Sequence, residues 1–418
     1  MLKQAYHVMI ITDQLMPEGK GSGKEHIGET LVNAHLLIGY RASVFAVGTA
    51  GIGSYVDGEL LKSFCKERGL QSIDRDTGYR SLKIHWFLLR QLFPSGRTLV
   101  SSLSDRKHHS AYARALADIG RYIKESGKPD FLTVTVWRHS STAQMVRHAS
   151  SFYGIPMIFW EHRTAYQRGK KILRHSNNPE WYRVLNQATR VLAVSEPLVA
   201  RIKNAFPMVE TAKFGVMPNP VRENFFVPSG KSSEEVKAFS AGRFVFAGWE
   251  NWTRDMKRVD VLLDAFQEVI ALHKHVCLVL VGSLPESAVK RIIDNRLDSF
   301  ILMMGKVHHD RIKPIVKSID CCVISSDSET FGNPAVEALA MGKPVITTKC
   351  GGPESIIKHR LLGRVVEPAN PGAFAEAMVD VLNNKGTFDS HWITEYCRER
   401  YSTDAFAQLW KKCYENID

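Results

Sequence analysis

The chain is poor in cysteine, with seven in 418 residues, an odd number at positions 65, 277, 321, 322, 350, 397 and 413 and no CxxC pair. That argues against a disulfide framework and against a zinc site, and favours a reducing compartment. No apolar run is long enough to span a bilayer. The opening residues Met1–Ile11 hold too short an apolar stretch for a signal peptide and are expected to form a first strand. There is no low-complexity tract, no short internal repeat, and no RRM, KH or zinc pattern of a nucleic-acid-binding module. A cytoplasmic protein with no bound metal and no nucleic-acid partner is expected.

The length suits two domains better than one. The charge is unevenly divided. Residues 1–220 carry 30 Lys and Arg against 17 Asp and Glu, a net of +13, whereas residues 221–418 carry 25 against 26, a net of −1. A basic half beside a neutral one implies an acidic partner for the basic half. Residues 80–97, which interleave Trp86, Phe87 and Phe93 with Arg80, Lys83, Arg90 and Arg97, have the composition of a membrane-surface helix. They point either to an anionic membrane surface and a peripheral location or to an ordinary core helix with a solvated edge.

The second half alternates strands and helices. Strands are expected at 243–247, 276–281, 299–304, 321–325, 345–348 and 364–367. Helices are expected at 258–273, 285–296, 310–318, from Pro353, and from Pro371 to Asn383. Apolar strands alternating with helices mean a parallel sheet covered on both faces, with ligands at the carboxyl ends of its strands. The first half repeats the plan, with strands at 6–12, 42–47, 131–136, 156–160 and 190–194 and helices near 25–38, 107–125, 140–152 and 196–205. Residues 206–240 read as a connection and 391–416 as a helical tail.

The densest pattern runs from Ser328 to Lys343. Glu329 and Glu337 bracket a seven-residue gap holding a helix start, in which Asn333 suits the N-cap and Pro334 the first helical position. Gly342 and Pro344 stop that helix. Free N–H groups at a helix start attract phosphate, and carboxylates beside them suit sugar hydroxyls. The loop Gly19–Lys24 also follows a strand and precedes a helix, but fits neither the P-loop spacing nor G-x-G-x-x-G. It reads as a flexible turn or a cradle in which Gly21 and Gly23 permit close backbone approach.

As a set, Glu329-x7-Glu337, Gly332, Gly342-x-Pro344-Val345-Ile346 and Gly351-Gly352-x-Glu354 resemble the GT4 family of retaining glycosyltransferases with the GT-B fold. Weaker echoes, such as Met217-Pro218-Asn219 and Val281-Gly282, extend over most of the chain. The resemblance implies an α/β fold of two doubly wound Rossmann-like domains facing across a cleft, with a C-terminal helix crossing back to the first. The domains would be 1–215 for the acceptor, 216–390 for the nucleotide sugar, and 391–418 for the helix. It implies that Glu337 holds the ribose, that Glu329 holds the donor sugar, and that the backbone of Phe331, Gly332 and Asn333 reaches the sugar and diphosphate. Lys257 matches the family's phosphate lysine. The family's arginine would follow Gly248 directly, where this chain has Trp249, so Arg254 is the substitute. Lys306 and Val307 lie where the base is bound, His162 at a strand end where a histidine touches the donor sugar, and Arg163 and Arg168 on the acceptor side. The expected activity is metal-independent, retaining transfer of a hexosyl-type sugar from a nucleoside-diphosphate sugar to a glycan, lipid-linked or small-molecule acceptor, plausibly in cell-surface polysaccharide synthesis. No cofactor is implied. The alternatives are a sugar-nucleotide 2-epimerase and a non-catalytic nucleotide-sugar-binding protein.

Overall fold

The structure is a computed structural model that describes residues 6–12, 31, 33–47, 53–57, 119–120, 122–124, 127–135, 140–163, 179–227 and 229–417. Gly21, Gly23, Arg168 and residues 80–97 lie outside the described residues. The chain forms two units, Met1–Pro220 with Thr403–Asp418, and Val221–Ser402.

The first unit is built on a seven-stranded sheet in the order β3-β2-β1-β4-β5-β6-β7. Its strands are β1 (His7–Thr12), β2 (Arg41–Val47), β3 (Gly53–Asp57), β4 (Phe131–Thr135), β5 (Met157–Glu161), β6 (Arg190–Ala193) and β7 (Phe214–Val216). All pairs are parallel except β2 with β3. β4 and β5 are buried along their whole length, as expected of parallel strands covered on both faces. Helices α1 (Ser140–Tyr153), α2 (Pro179–Gln187) and α3 (Glu196–Ala205) follow, and residues 33–37 and 122–124 are also helical. The start of α3 is written in sequence, because Ser195 Oγ accepts from Leu198 N at 3.3 Å and Pro197 sits in the first turn.

The second unit carries a six-stranded, wholly parallel sheet in the order β10-β9-β8-β11-β12-β13. In chain order its elements are α4 (Glu234–Ser240), β8 (Phe244–Trp249), α5 (Val259–Leu272), β9 (Val276–Val281), α6 (Glu286–Asp294), β10 (Ile301–Gly305), α7 (Ile312–Lys317), β11 (Cys321–Ile324), α8 (Asn333–Ala340), β12 (Val345–Thr348), α9 (Gly352–Ile356), β13 (Gly363–Val366), α10 (Pro371–Asn383) and α11 (Ser390–Tyr401). Phe246, Leu262, Phe266, Leu278, Phe374 and Met378 fill one core layer between sheet, α5 and α10. Each such side chain contributes roughly 1.5–3 kcal/mol on burial. Strand order runs one way from β8 to β10 and the other from β11 to β13. The carboxyl ends of β8 and β11 therefore flank the point where the winding reverses, where open α/β sheets bind ligands.

Three expectations change. Asn333 is not the cap of α8: Gly332 is, at φ 95° in the left-handed region, with Asn333 the first helical residue. A Cβ on Gly332 would come within 2.5 Å of Pro353 Cγ, so a residue distant in sequence shapes this turn. The supposed connection 206–240 contains β7 and α4, and the tail is two helices, α11 and α12 (Thr403–Glu415). α12 belongs to the first unit, where the buried Tyr414 hydroxyl meets His35 Nε2 and Thr133 Oγ1, each at 2.7 Å. Among the described residues no helix is long and apolar enough to cross a membrane.

Candidate functional site

Two chain segments of the second unit converge where β8 and β11 end. After β8, Glu250 N donates to Val281 O at 3.0 Å, and Gly282 is required beside it because a Cβ there would lie 1.8 Å from Glu250 O. Trp252 turns inward over Gly248 and donates its indole N–H to Val281 O at 3.0 Å. This buried indole anchors the long loop between β8 and α5, which closes with the 3-10 turn Asp255–Lys257. Arg258 follows at φ 49° and ties the loop down through Asp260 at 2.9 Å and Asp327 at 3.0 Å.

The second segment follows β11. Ser325 Oγ donates to Lys257 O at 2.9 Å and Asp327 N to Met256 O at 2.8 Å, fastening the two segments together. Glu329 N donates to Cys350 O at 2.8 Å, and Gly352 N to Glu329 O at 3.1 Å. Gly352 packs flat on Phe331, whose Cα a Cβ would approach to 2.3 Å. The Gly351-Gly352 pair thus lets two backbones lie against each other and fixes the direction of Glu329.

The result is a charge cluster at the switch point. Lys257, only 6% exposed, donates to Glu250 Oε2 at 2.5 Å and to Glu329 Oε1. Ser326 Oγ also donates to Glu329 Oε1, at 2.9 Å. Burial opposes the charge of Lys257, yet its two carboxylates raise its pKa overall. One lysine cannot neutralise both acids. Burial pushes Glu250 up to about 7, with Lys257 pulling the other way and Glu329 and Glu337 adding repulsion. Glu337, on the second turn of α8, is held by Trp249, whose indole N–H donates to its Oε2 at 2.7 Å. Its pKa is raised by burial, against the attraction of Arg222 and the Trp249 hydrogen bond.

Of the residues singled out from sequence, the structure joins Glu329 to Lys257 directly. Glu337 is near enough to repel Glu250, and Phe331, Gly332 and Asn333 form the turn into α8 between the two glutamates. Arg254 stands exposed at the start of the 3-10 turn. Lys306 is exposed and Val307 half-buried just after β10. In the first unit, His162 is buried after β5, edge-on to Trp160 with ring centroids 4.1 Å apart. Arg163 is buried against Glu161 and stacks on Trp181 at 3.7 Å. Two site residues escaped the sequence reading, Glu250 and Trp249. The signal was present in the substitution at Trp249, because an indole N–H there presents a donor where an arginine was expected.

The family model for glycosyl transferases group 1 matches residues 241–384, and that for glycosyltransferase family 4 matches residues 90–225. An uncharacterized glycosyltransferase of Methanocaldococcus jannaschii is 32% identical over 129 residues, 31% of this chain and 36% of that protein. A D-inositol 3-phosphate glycosyltransferase of Segniliparus rotundus is 24% identical over 275 residues, 59% of each chain. The chain therefore matches well under two thirds of the length of these curated relatives. The crystal structure of Anabaena Alr3699/HepE in complex with UDP superposes with a TM-score of 0.65 at 17% identity, covering 98% of this chain and 99% of that one. With one family model on each unit and a fold shared over nearly its whole length, this chain belongs to the GT4 family of glycosyltransferases with the GT-B fold.

Proposed function

We propose that the protein is a retaining, metal-independent hexosyltransferase that uses a nucleoside-diphosphate sugar. The observation that carries this reading is the buried Lys257 held between Glu250 and Glu329 beside the start of α8, with Glu337 on the next turn. The helix start and Lys257 offer positive partners to a diphosphate. Glu337 offers a carboxylate to the ribose and Glu329 one to the sugar. Glu329 is tied to Lys257 and Ser326, which suits a group that orients hydroxyls better than one that attacks the anomeric carbon. Retention then proceeds by front-face displacement. The leaving diphosphate is stabilised by Lys257 and the helix dipole, and one of its oxygens takes the acceptor proton.

Acceptor recognition is assigned to the first half, whose net charge of +13 suits an acidic acceptor. A relative named for inositol 3-phosphate and another named as a phosphatidylinositol N-acetylglucosaminyltransferase subunit support an acceptor bearing phosphate, either free or lipid-linked. A glycan acceptor in cell-surface polysaccharide synthesis, made at the inner membrane face, fits the same charge. Thermal shift with UDP-, GDP- and ADP-sugars identifies the donor, since binding stabilises by mass action. NMR of the anomeric proton in the product then tests retention. An inverted product sinks the mechanism. A changed sugar released from donor alone identifies an epimerase. Co-sedimentation with anionic vesicles at low salt tests the membrane surface, and failure to pellet removes it.

A further inference from the structure

Glu250 has been given no role toward the donor so far, yet it supplies one of the two carboxylates on Lys257, at 2.5 Å. Its place is built rather than incidental. Its N–H is bonded to Val281 O, and the neighbouring position 282 admits only glycine because Glu250 O occupies the space of a Cβ. Lysine has three N–H donors, and here the ammonium is engaged by two carboxylates. A diphosphate arriving at this ammonium would meet Glu250, Glu329 and Glu337 around a single lysine. Glu329 and Glu337 have roles with the sugar and the ribose, so Glu250 is the acid left to give way.

Resting on the donor-site reading above, we propose that Glu250 is a positioning residue. It holds Lys257 in the unliganded site and yields it to the donor's diphosphate, its carboxylate taking up one proton from solvent. The exchange is balanced. A Lys257 N–H moves from Glu250 Oε2 to a phosphate oxygen, and the O–H bond formed on Glu250 offsets one of the two negative charges that the diphosphate diester brings. Among the described residues, the charged and titratable groups facing Glu250 are Lys257 from the same loop, Glu329 from the loop after β11, Glu337 from α8 and the thiol of Cys322 on β11. Of these, Lys257 alone opposes the uptake. Burial already raises the Glu250 carboxyl to about 7, so a proton is available at neutral pH.

The test is calorimetric titration of the whole chain with UDP-, GDP- and ADP-glucose in two buffers of different protonation enthalpy. The diphosphate diesters of these donors do not themselves titrate near neutrality. Donor binding is expected to take up a fraction of a proton at neutral pH, rising towards one at about pH 8.5, with affinity falling up to about tenfold per pH unit above neutrality. Glu250→Gln keeps an acceptor for Lys257 without the charge. It is expected to bind donor about tenfold more tightly than wild type at about pH 8.5, with no proton uptake. Wild-type binding without uptake or pH dependence overturns the proposal and leaves the donor site standing. So does a pH slope that persists unchanged in Glu250→Gln. Should the variant fail to fold, the wild-type uptake decides alone. If none of the three donors binds at any pH, the donor-site reading falls and the role of Glu250 with it.

Discussion

Each unit buries a cluster of opposite charges, and the two clusters are built differently. In the first unit, Glu161 and Arg163 form a one-to-one pair. Arg163 Nε reaches both carboxylate oxygens at 2.9 Å, the backbone N–H groups of His162 and Arg163 also donate to Glu161 Oε1, and Trp181 covers the guanidinium. Every charge there is matched by geometry as well as by sign. In the second unit, Lys257 serves two carboxylates with Glu337 close by, and the balance fails by at least one negative charge. A matched pair leaves no charge uncompensated. A cluster that is over-acidic without its ligand holds a lysine ready and carries a carboxyl that titrates near neutrality, which is what a binding site for a charged substrate requires.

The comparison breaks most visibly through the matched pair. Glu161→Ala leaves Arg163 as an uncompensated buried charge and is expected to lower unfolding stability by about 3–5 kcal/mol. Chemical denaturation measures it, and a loss below about 1 kcal/mol would mean the pair is not structural. Lys257→Ala should act on turnover instead. Initial rates are expected to fall at least about a hundredfold, near 2.7 kcal/mol of transition-state stabilisation, with the circular dichroism unchanged. Glu329→Ala should do the same. Retention of full rate in both would remove the site assignment.

The unbalanced cluster also predicts a pH effect on stability. The Glu250 pKa in the folded protein lies above its ordinary value of 4.5, at about 7. The folded state therefore holds the proton more tightly than the unfolded chain. Its stabilising contribution is complete below about pH 4.5 and is lost as pH rises through about 7. Unfolding free energies of wild type and Glu250→Gln should diverge over that window, wild type declining relative to the variant. Parallel curves would mean Glu250 is not titrating there. The smallest effect is expected at Trp249. Trp249→Phe keeps the ring but removes the donor to Glu337, and should weaken nucleotide binding about tenfold, near 1.5 kcal/mol for a bond to a charged acceptor. An unchanged affinity would leave Trp249 as packing alone.

Much of the second unit was legible because its strands are unbroken apolar runs. Val276–Val281 and Pro371–Asn383 fall where periodicity and the flanking turn residues put them. Strand β7 left no such trace, since Phe214–Val216 is short and incompletely buried at the sheet edge. The antiparallel β3 was likewise unread, being an exception within a parallel plan. In the site, the residue types of Glu329, Glu337 and Lys257 were legible from their spacing and family pattern. The contact between Lys257 and Glu329 spans 72 positions and depends on the β8–β11 register and on hydrogen bonds between loops. Glu250 meets Lys257 within one loop, but the fold of that loop is set by the bonds of Glu250 N and the Trp252 indole to the distant Val281 O, which no local rule supplies. Nor does any local rule move the α8 cap from Asn333 to Gly332, because Pro353 blocks a Cβ there.

The return of α12 to the first unit has a consequence for synthesis. Trp410 and Tyr414 are fully buried among residues of a unit whose first strand is at His7. A ribosome makes β1 before the whole of the second unit and α12 after it. The unit begun first is thus completed after the other, whereas the second unit, one unbroken stretch, has all its residues before α12 is made. Until α12 emerges, the nascent first unit lacks the helix that supplies Trp410 and Tyr414 to its core, and chaperone capture during synthesis should concentrate on the apolar surface they cover.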